Sequence, residues 1–97
     1  MMFSVPPGPY APIPTVIETD LEHELILLDP VTQEMFSLND TGRAIWRALP
    51  GCTVDDAAVA LTRQFDVTLD AAIADVRALV ARLLEAKLIA PVGDASR

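Results

Sequence analysis

A chain of 97 residues has room for one domain with one modest core, because folding at this size buries only about 60–70% of the extended chain's surface. A hydrophobic content of 52% against 22% charged residues excludes a disordered chain, and no apolar run approaches the length of a membrane span. Fourteen Asp and Glu against seven Lys and Arg set the net charge at −7, a field that repels nucleic acid and anionic lipid.

Pro6, Pro7, Pro9, Pro12 and Pro14, with Gly8, predict a flexible proline-rich arm over residues 1–14, since proline removes backbone donors and favours extended chain. The β-branched residues from Thr15 to Thr19 predict a short strand, and Asp20, Glu22 and His23 a turn after it. Glu24–Leu28 is an apolar run closed by Asp29-Pro30, which together cap and preset a turn, so it reads as a buried strand. Glu34–Leu38 alternates, with Phe36 and Leu38 on one face and Met35 and Ser37 on the other, which makes a hairpin with the preceding run.

Asn39 suits the cap of a first helix carrying Ile45, Trp46 and Leu49 and stopped by Pro50-Gly51. Thr53 caps a second, with Val54, Ala57, Ala58, Leu61 and Phe65 at three- and four-residue steps and Asp55 and Asp56 in its first turn. Thr68 caps the third and longest, whose stripe of Leu69, Ile73, Val76, Val80, Leu83 and Leu84 runs to about Ala86. Ala72, Leu79 and Ala86 widen that stripe on an edge where Asp75 and Arg82 also project; the excess of apolar surface suggests a groove. Leu88-Ile89-Ala90 reads as a brief strand before a polar tail, residues 91–97. The expected class is α+β and winged-helix-like, a three-stranded antiparallel sheet followed by three helices.

Catalytic and metal chemistry find little support. One cysteine, Cys52, and one histidine, His23, are too few for a structural zinc site, and no third group orients them as a nucleophile and base. Cys52 reads as a small apolar loop residue and His23 as a solvated turn residue. A lone cysteine cannot close an internal disulfide, and the first basic residue is Arg43, so no secretory signal is expected and the cytoplasm is the expected location. The four scattered glycines build no phosphate loop, and Asp55-Asp56, neighbours on a helix, diverge by about 100° and cannot share a proton. A winged helix suggests DNA binding as a rival function, but Arg77, Arg82 and Lys87 on the third helix are offset by Asp70, Asp75 and Glu85.

The stretches Glu24-Leu25-Ile26-Leu27-Leu28-Asp29-Pro30, Phe36-Ser37-Leu38-Asn39-Asp40-Thr41-Gly42 and Ala44-Ile45-Trp46 resemble the PqqD family, also called the RiPP recognition element. Thr53-Val54-Asp55-Asp56, Ala74-Asp75-Val76, Leu83-Leu84 and Lys87-Leu88-Ile89 extend the resemblance from about Thr15 to Ile89. It implies a PqqD-like domain over residues 15–90 that binds the leader of a ribosomally made precursor as an added strand beside the third strand, against the third helix. The implied peptide-binding residues are Glu34, Met35, Phe36, Ser37 and Leu38 on the strand and Ala72, Asp75, Val76, Leu79, Arg82 and Ala86 on the helix. Anchors are expected between Met35 or Ser37 and the small helix residues, with Asp75 and Arg82 setting leader polarity. The stand-alone size, the proline-rich arm and the Leu-Leu-Asp hairpin look most like the leader-binding half of a split lasso-peptide leader peptidase. That likeness implies no catalysis and no cofactor, with a separate leader peptidase subunit and a cyclase as partners; the alternative it leaves is a PqqD-type peptide chaperone for a radical SAM enzyme.

Overall fold

A computed structural model describes residues 8–92. Its first element, β1 (Tyr10–Pro12), pairs antiparallel with β5 (Ile89–Pro91), Ala11 lying opposite Ala90. This corrects the expectation of a flexible arm through Pro14; Pro6 and Pro7 lie outside the described residues. Proline lacks the N–H but keeps the carbonyl, so the segment holds the fold largely as an acceptor. Val92 N–H donates to the Pro9 carbonyl at 2.9 Å and Gly51 N–H to that of Tyr10 at 3.1 Å, while Ile13 N–H donates to the Leu88 carbonyl at 3.0 Å. Tyr10 itself is fully buried in the core.

The sheet is built from β2 (Ile17–Asp20), β3 (Leu25–Asp29) and β4 (Glu34–Leu38), antiparallel in the order β2-β3-β4. The β3–β4 turn is held as its residues suggest: the Asp29 carboxylate accepts from Val31 N–H at 3.0 Å, and the Asp29 carbonyl from Gln33 N–H at 2.7 Å. Register places Leu25 opposite Leu38 and Leu27 opposite Phe36, so these four side chains share the face turned toward the helices.

Three helices follow: α1 (Asp40–Ala48), α2 (Val54–Gln64) and α3 (Leu69–Glu85). Their caps, Asn39, Thr53 and Thr68, each accept from the backbone N–H three residues on. The end of α3 is a Schellman motif without its usual glycine. Lys87 takes φ +63°, its N–H donates to the Leu84 carbonyl, and Leu88 N–H donates to that of Leu83. The reversal drops Leu88 into the core and starts β5. Ile45 and Trp46 from α1 with Leu49 at its C-cap, Ala57, Ala58 and Leu61 from α2, and Val76, Val80 and Leu83 from α3 close the core over Leu25, Leu27 and Leu38. Leu69, expected on the buried stripe, is instead about half exposed in the first turn of α3, where the helix begins at the edge of the core.

An ionic latch joins sheet to helix. Asp20, the last residue of β2, receives hydrogen bonds from Arg43 Nε (3.1 Å) and Nη2 (2.7 Å) and from Arg47 Nη2 (2.7 Å), the two arginines lying one turn apart on α1. The Arg43 hydrogen bond, then the Glu22 amide and Arg47, hold the Asp20 carboxyl well below the usual carboxylate range. Its folded-state value is depressed, so the latch contributes fully above the unfolded-state pKa of about 3.9 and is lost as pH falls below it toward the folded-state value. The urea midpoint of wild type should therefore drop more steeply between about pH 5 and about pH 2 than that of Asp20→Asn, which starts lower at neutral pH. Parallel pH profiles for the two proteins would contradict this.

Candidate functional site

β4 forms one margin of the sheet, and no strand pairs with its outer edge among the described residues. Alternate residues of such a strand direct N–H and C=O groups away from the sheet, a template for an incoming chain. β2 forms the other margin, but it carries Glu18 and the latched Asp20, charges that guard it against pairing.

The β4 margin faces α3 across a cleft with two chambers. The larger, about 680 Å³, has an apolar floor of Leu38, Ile45, Ala78 and Leu79 and a polar rim that includes Glu24, Ser37 and Asp75. The smaller, about 450 Å³, lies between Phe36 and Ala86, with Glu34, Glu85 and Lys87 at its mouth. Arg82 borders both chambers, and its guanidinium stands over the Phe36 ring, 5.2 Å from the centroid. Thus a cation with no carboxylate partner in the described structure straddles the middle of the cleft.

Local sequence explains why the cleft is open. Gly42, one turn into α1, has its N–H on the Asn39 cap at 2.9 Å, and a Cβ built there would stand 3.1 Å from the Leu38 Cβ. Its hydrogen lets α1 settle against the end of β4 and leaves the chamber floor to Leu38 and Ile45. Ser37 Oγ donates to the Glu24 carboxylate across the hairpin. His23 Nδ1 lies 3.8 Å from Asp40 Oδ2, both side chains largely in solvent.

Of the residues singled out from the sequence, Glu34, Phe36, Ser37, Leu38, Asp75, Leu79, Arg82 and Ala86 line the cleft. Ala72 and Val76 do not: both are fully buried, because α3 packs that part of its surface inward, and they are core. Met35 is not brought there either. It sits opposite Leu28 on the sheet face away from the helices and is 65% exposed, so Phe36 and Leu38, and not Met35, face the cleft. Sequence reasoning missed Ala78, Ile45, Gly42 and Glu24. Ala78 was within reach, since it lies at i+3 from Asp75 and i−4 from Arg82 on the same helical face.

Cys52 and His23 are not brought together. His23 stands at the start of α1 beside Asp40, whereas Cys52 follows the end of that helix, about 13 Å away along its axis at 1.5 Å per residue. Among the described residues no group of three or more His, Cys, Asp or Glu is placed to hold a metal ion, and no helix is long and apolar enough to cross a membrane.

The family model described as coenzyme PQQ synthesis protein D (PqqD) matches residues 24–89, which include β3, β4 and all three helices. A structure of lasso peptide synthetase B1 complexed with the leader peptide superimposes with a TM-score of 0.76 at 29% identity, over 87% of this chain and 100% of that one. TbiB1 in complex with the TbiA(beta) leader peptide has the same fold, with a TM-score of 0.73 at 23% identity over 88% of this chain and 98% of that one. No curated protein sequence matches.

Proposed function

The chain belongs to the PqqD family, and from that premise we propose that it captures the leader segment of a ribosomally synthesised precursor as an added strand on β4 and presents it to separate maturation enzymes. The observation that carries the reading is the free β4 margin lying along a cleft whose other wall is α3. The similarity to lasso peptide synthetase B1, itself complexed with a leader peptide, supports lasso-peptide biosynthesis as the setting. A leader peptidase subunit is the first recipient, and a cyclase the second. The chain performs no bond-making or bond-breaking step, and the work is done in the cytoplasm.

The mechanism follows from the two walls. Backbone pairing along β4 gives an extended peptide roughly four hydrogen bonds at about 1 kcal/mol each, which attract any extended chain. Selectivity comes from side chains that drop into the two chambers, about 2 kcal/mol for each well-buried apolar anchor. Ordering a disordered leader costs about 2–5 kcal/mol, so four hydrogen bonds and two anchors leave about 3–6 kcal/mol, an affinity on the order of millimolar to tens of micromolar. Asp75 and Arg82 sit two turns apart on α3, about 10 Å along the axis, with opposite charge, so a leader entering in the wrong direction meets like charges.

The test is amide hydrogen exchange on the protein with and without the cognate leader peptide. Alternate amides of β4 should slow by at least about tenfold on binding while those of β2 stay unchanged. Protection at β2 in place of β4, or none at either margin, would overturn the strand-addition reading.

A further inference from the structure

The face of the sheet turned away from the helices is apolar and bare. Register sets Ile17, Leu28 and Met35 in one row across the three strands and Thr19, Ile26 and Ser37 in the next. Ile17 is 48% and Met35 65% exposed, and Val31, in the turn beside that row, is 78% exposed. No described helix or strand covers this face. Isolated apolar side chains on a surface need no explanation, but a continuous row across every strand of a sheet marks a contact surface.

The charge distribution says what kind of partner fits. The first forty-two residues carry seven carboxylates and no Lys or Arg, and the remainder carry seven of each, so the whole net charge of −7 belongs to the half of the chain that builds the sheet. Arg43 and Arg47, which reach it from α1, are engaged by Asp20, and Arg82 meets it on the helix side, over Phe36. A second copy would bring the same acidic border against this one, and like charges across an interface are costly.

We propose that the outer face of the β2-β3-β4 sheet is the docking surface for the enzyme that takes over the held leader, a protein whose contact patch is apolar and bordered by Lys and Arg. The proposal rests on the strand-addition reading for its biological sense, because the two surfaces are continuous at β4. A guest strand on the β4 margin extends the same sheet, and every second guest side chain then projects on the outer face beside Met35 and Ser37. A partner seated there touches protein and guest together, so leader and partner bind with positive coupling. Phe36 and Leu38 hold the guest from one face of β4 while Met35 offers it from the other.

The experiment uses the full chain, its cognate leader peptide and the purified peptidase that cleaves that leader. Val31→Lys and Ile17→Lys replace exposed side chains outside β4, and circular dichroism confirms the fold of each. Leader affinity is read by fluorescence anisotropy and peptidase affinity by calorimetry, with and without leader. The expected result is leader affinity within twofold of wild type, peptidase affinity reduced at least tenfold in each variant, tighter peptidase binding when leader is present, and a peptidase affinity that falls with salt. Glu18→Lys with Glu22→Lys should lower the peptidase affinity and flatten its salt dependence. Unchanged peptidase binding in both apolar variants overturns the proposal. So does sedimentation showing a wild-type dimer that Ile17→Lys dissociates, which would make a second copy the occupant. A parallel loss of leader affinity in the two variants also overturns it by assigning the face to the leader site. Failure of the wild-type chain to bind leader while it still binds peptidase through this face would sink the strand-addition reading alone and leave the docking surface standing.

Discussion

Ala78→Arg should leave the fold intact and weaken leader binding by at least about tenfold, a loss of about 1.4 kcal/mol or more. Ala78 is exposed on α3 and lies on the floor of the larger chamber, so its replacement meets solvent before a guest arrives and fills the chamber when one does. Arginine is nearly as good a helix former as alanine, and exposed helix positions tolerate such changes within about 0.5 kcal/mol. The expected loss exceeds that figure because a blocked chamber removes at least one anchor worth about 2 kcal/mol. Leu79→Glu is a less clean probe: Leu79 is only 7% exposed, and a carboxylate there loses water without gaining a partner. Ala71→Arg, at an exposed α3 position outside the cleft lining, supplies the control. Equal leader affinities for Ala78→Arg, Ala71→Arg and wild type, measured by anisotropy, would remove the cleft from the binding site.

Local chemistry made much of the fold legible. Asn39, Thr53 and Thr68 announced three helix starts, and Asp29-Pro30 announced a turn, because a cap or turn depends on residues within three or four positions of itself. β1 was not legible in this way. Its partner β5 lies about eighty residues away, and a three-residue strand carries no periodicity of its own. The signal that did exist was Tyr10, the one large aromatic side chain among the prolines, which needs a core to enter. The cleft was readable in outline from the excess apolar surface of α3, but a single helix cannot say which part of its stripe a second helix covers. Packing took Ala72 and Val76 fully into the core, while Leu79 was left at the boundary. Lys87 shows a further limit: the sequence offers no glycine where α3 reverses, and burial of Leu88 enforces the positive φ instead.

Tyr10→Ala should be among the most destabilising single substitutions in the chain, costing about 3–5 kcal/mol, the usual range for removing a large aromatic side chain from a core. Domains of this kind are stable by only about 5–15 kcal/mol, so the variant would stand near its unfolding threshold. Its melting temperature should fall by about 12 °C or more, at about 4–8 °C per kcal/mol for a domain of this size. The effect is amplified by topology. Tyr10 is the only fully buried side chain of β1, and β1 receives hydrogen bonds from Gly51 after α1 and pairs with β5 after α3. Loosening it therefore frees both chain ends from the helical layer at once. The cleft is built from β4, α1 and α3, none of which β1 lines, so at a temperature where the variant is still folded its leader affinity should lie within about twofold of wild type. A thermal shift of only a few degrees would return residues 8–12 to the status of a dispensable extension. A large loss of leader affinity in the folded variant would mean that β1 shapes the cleft as well as the core.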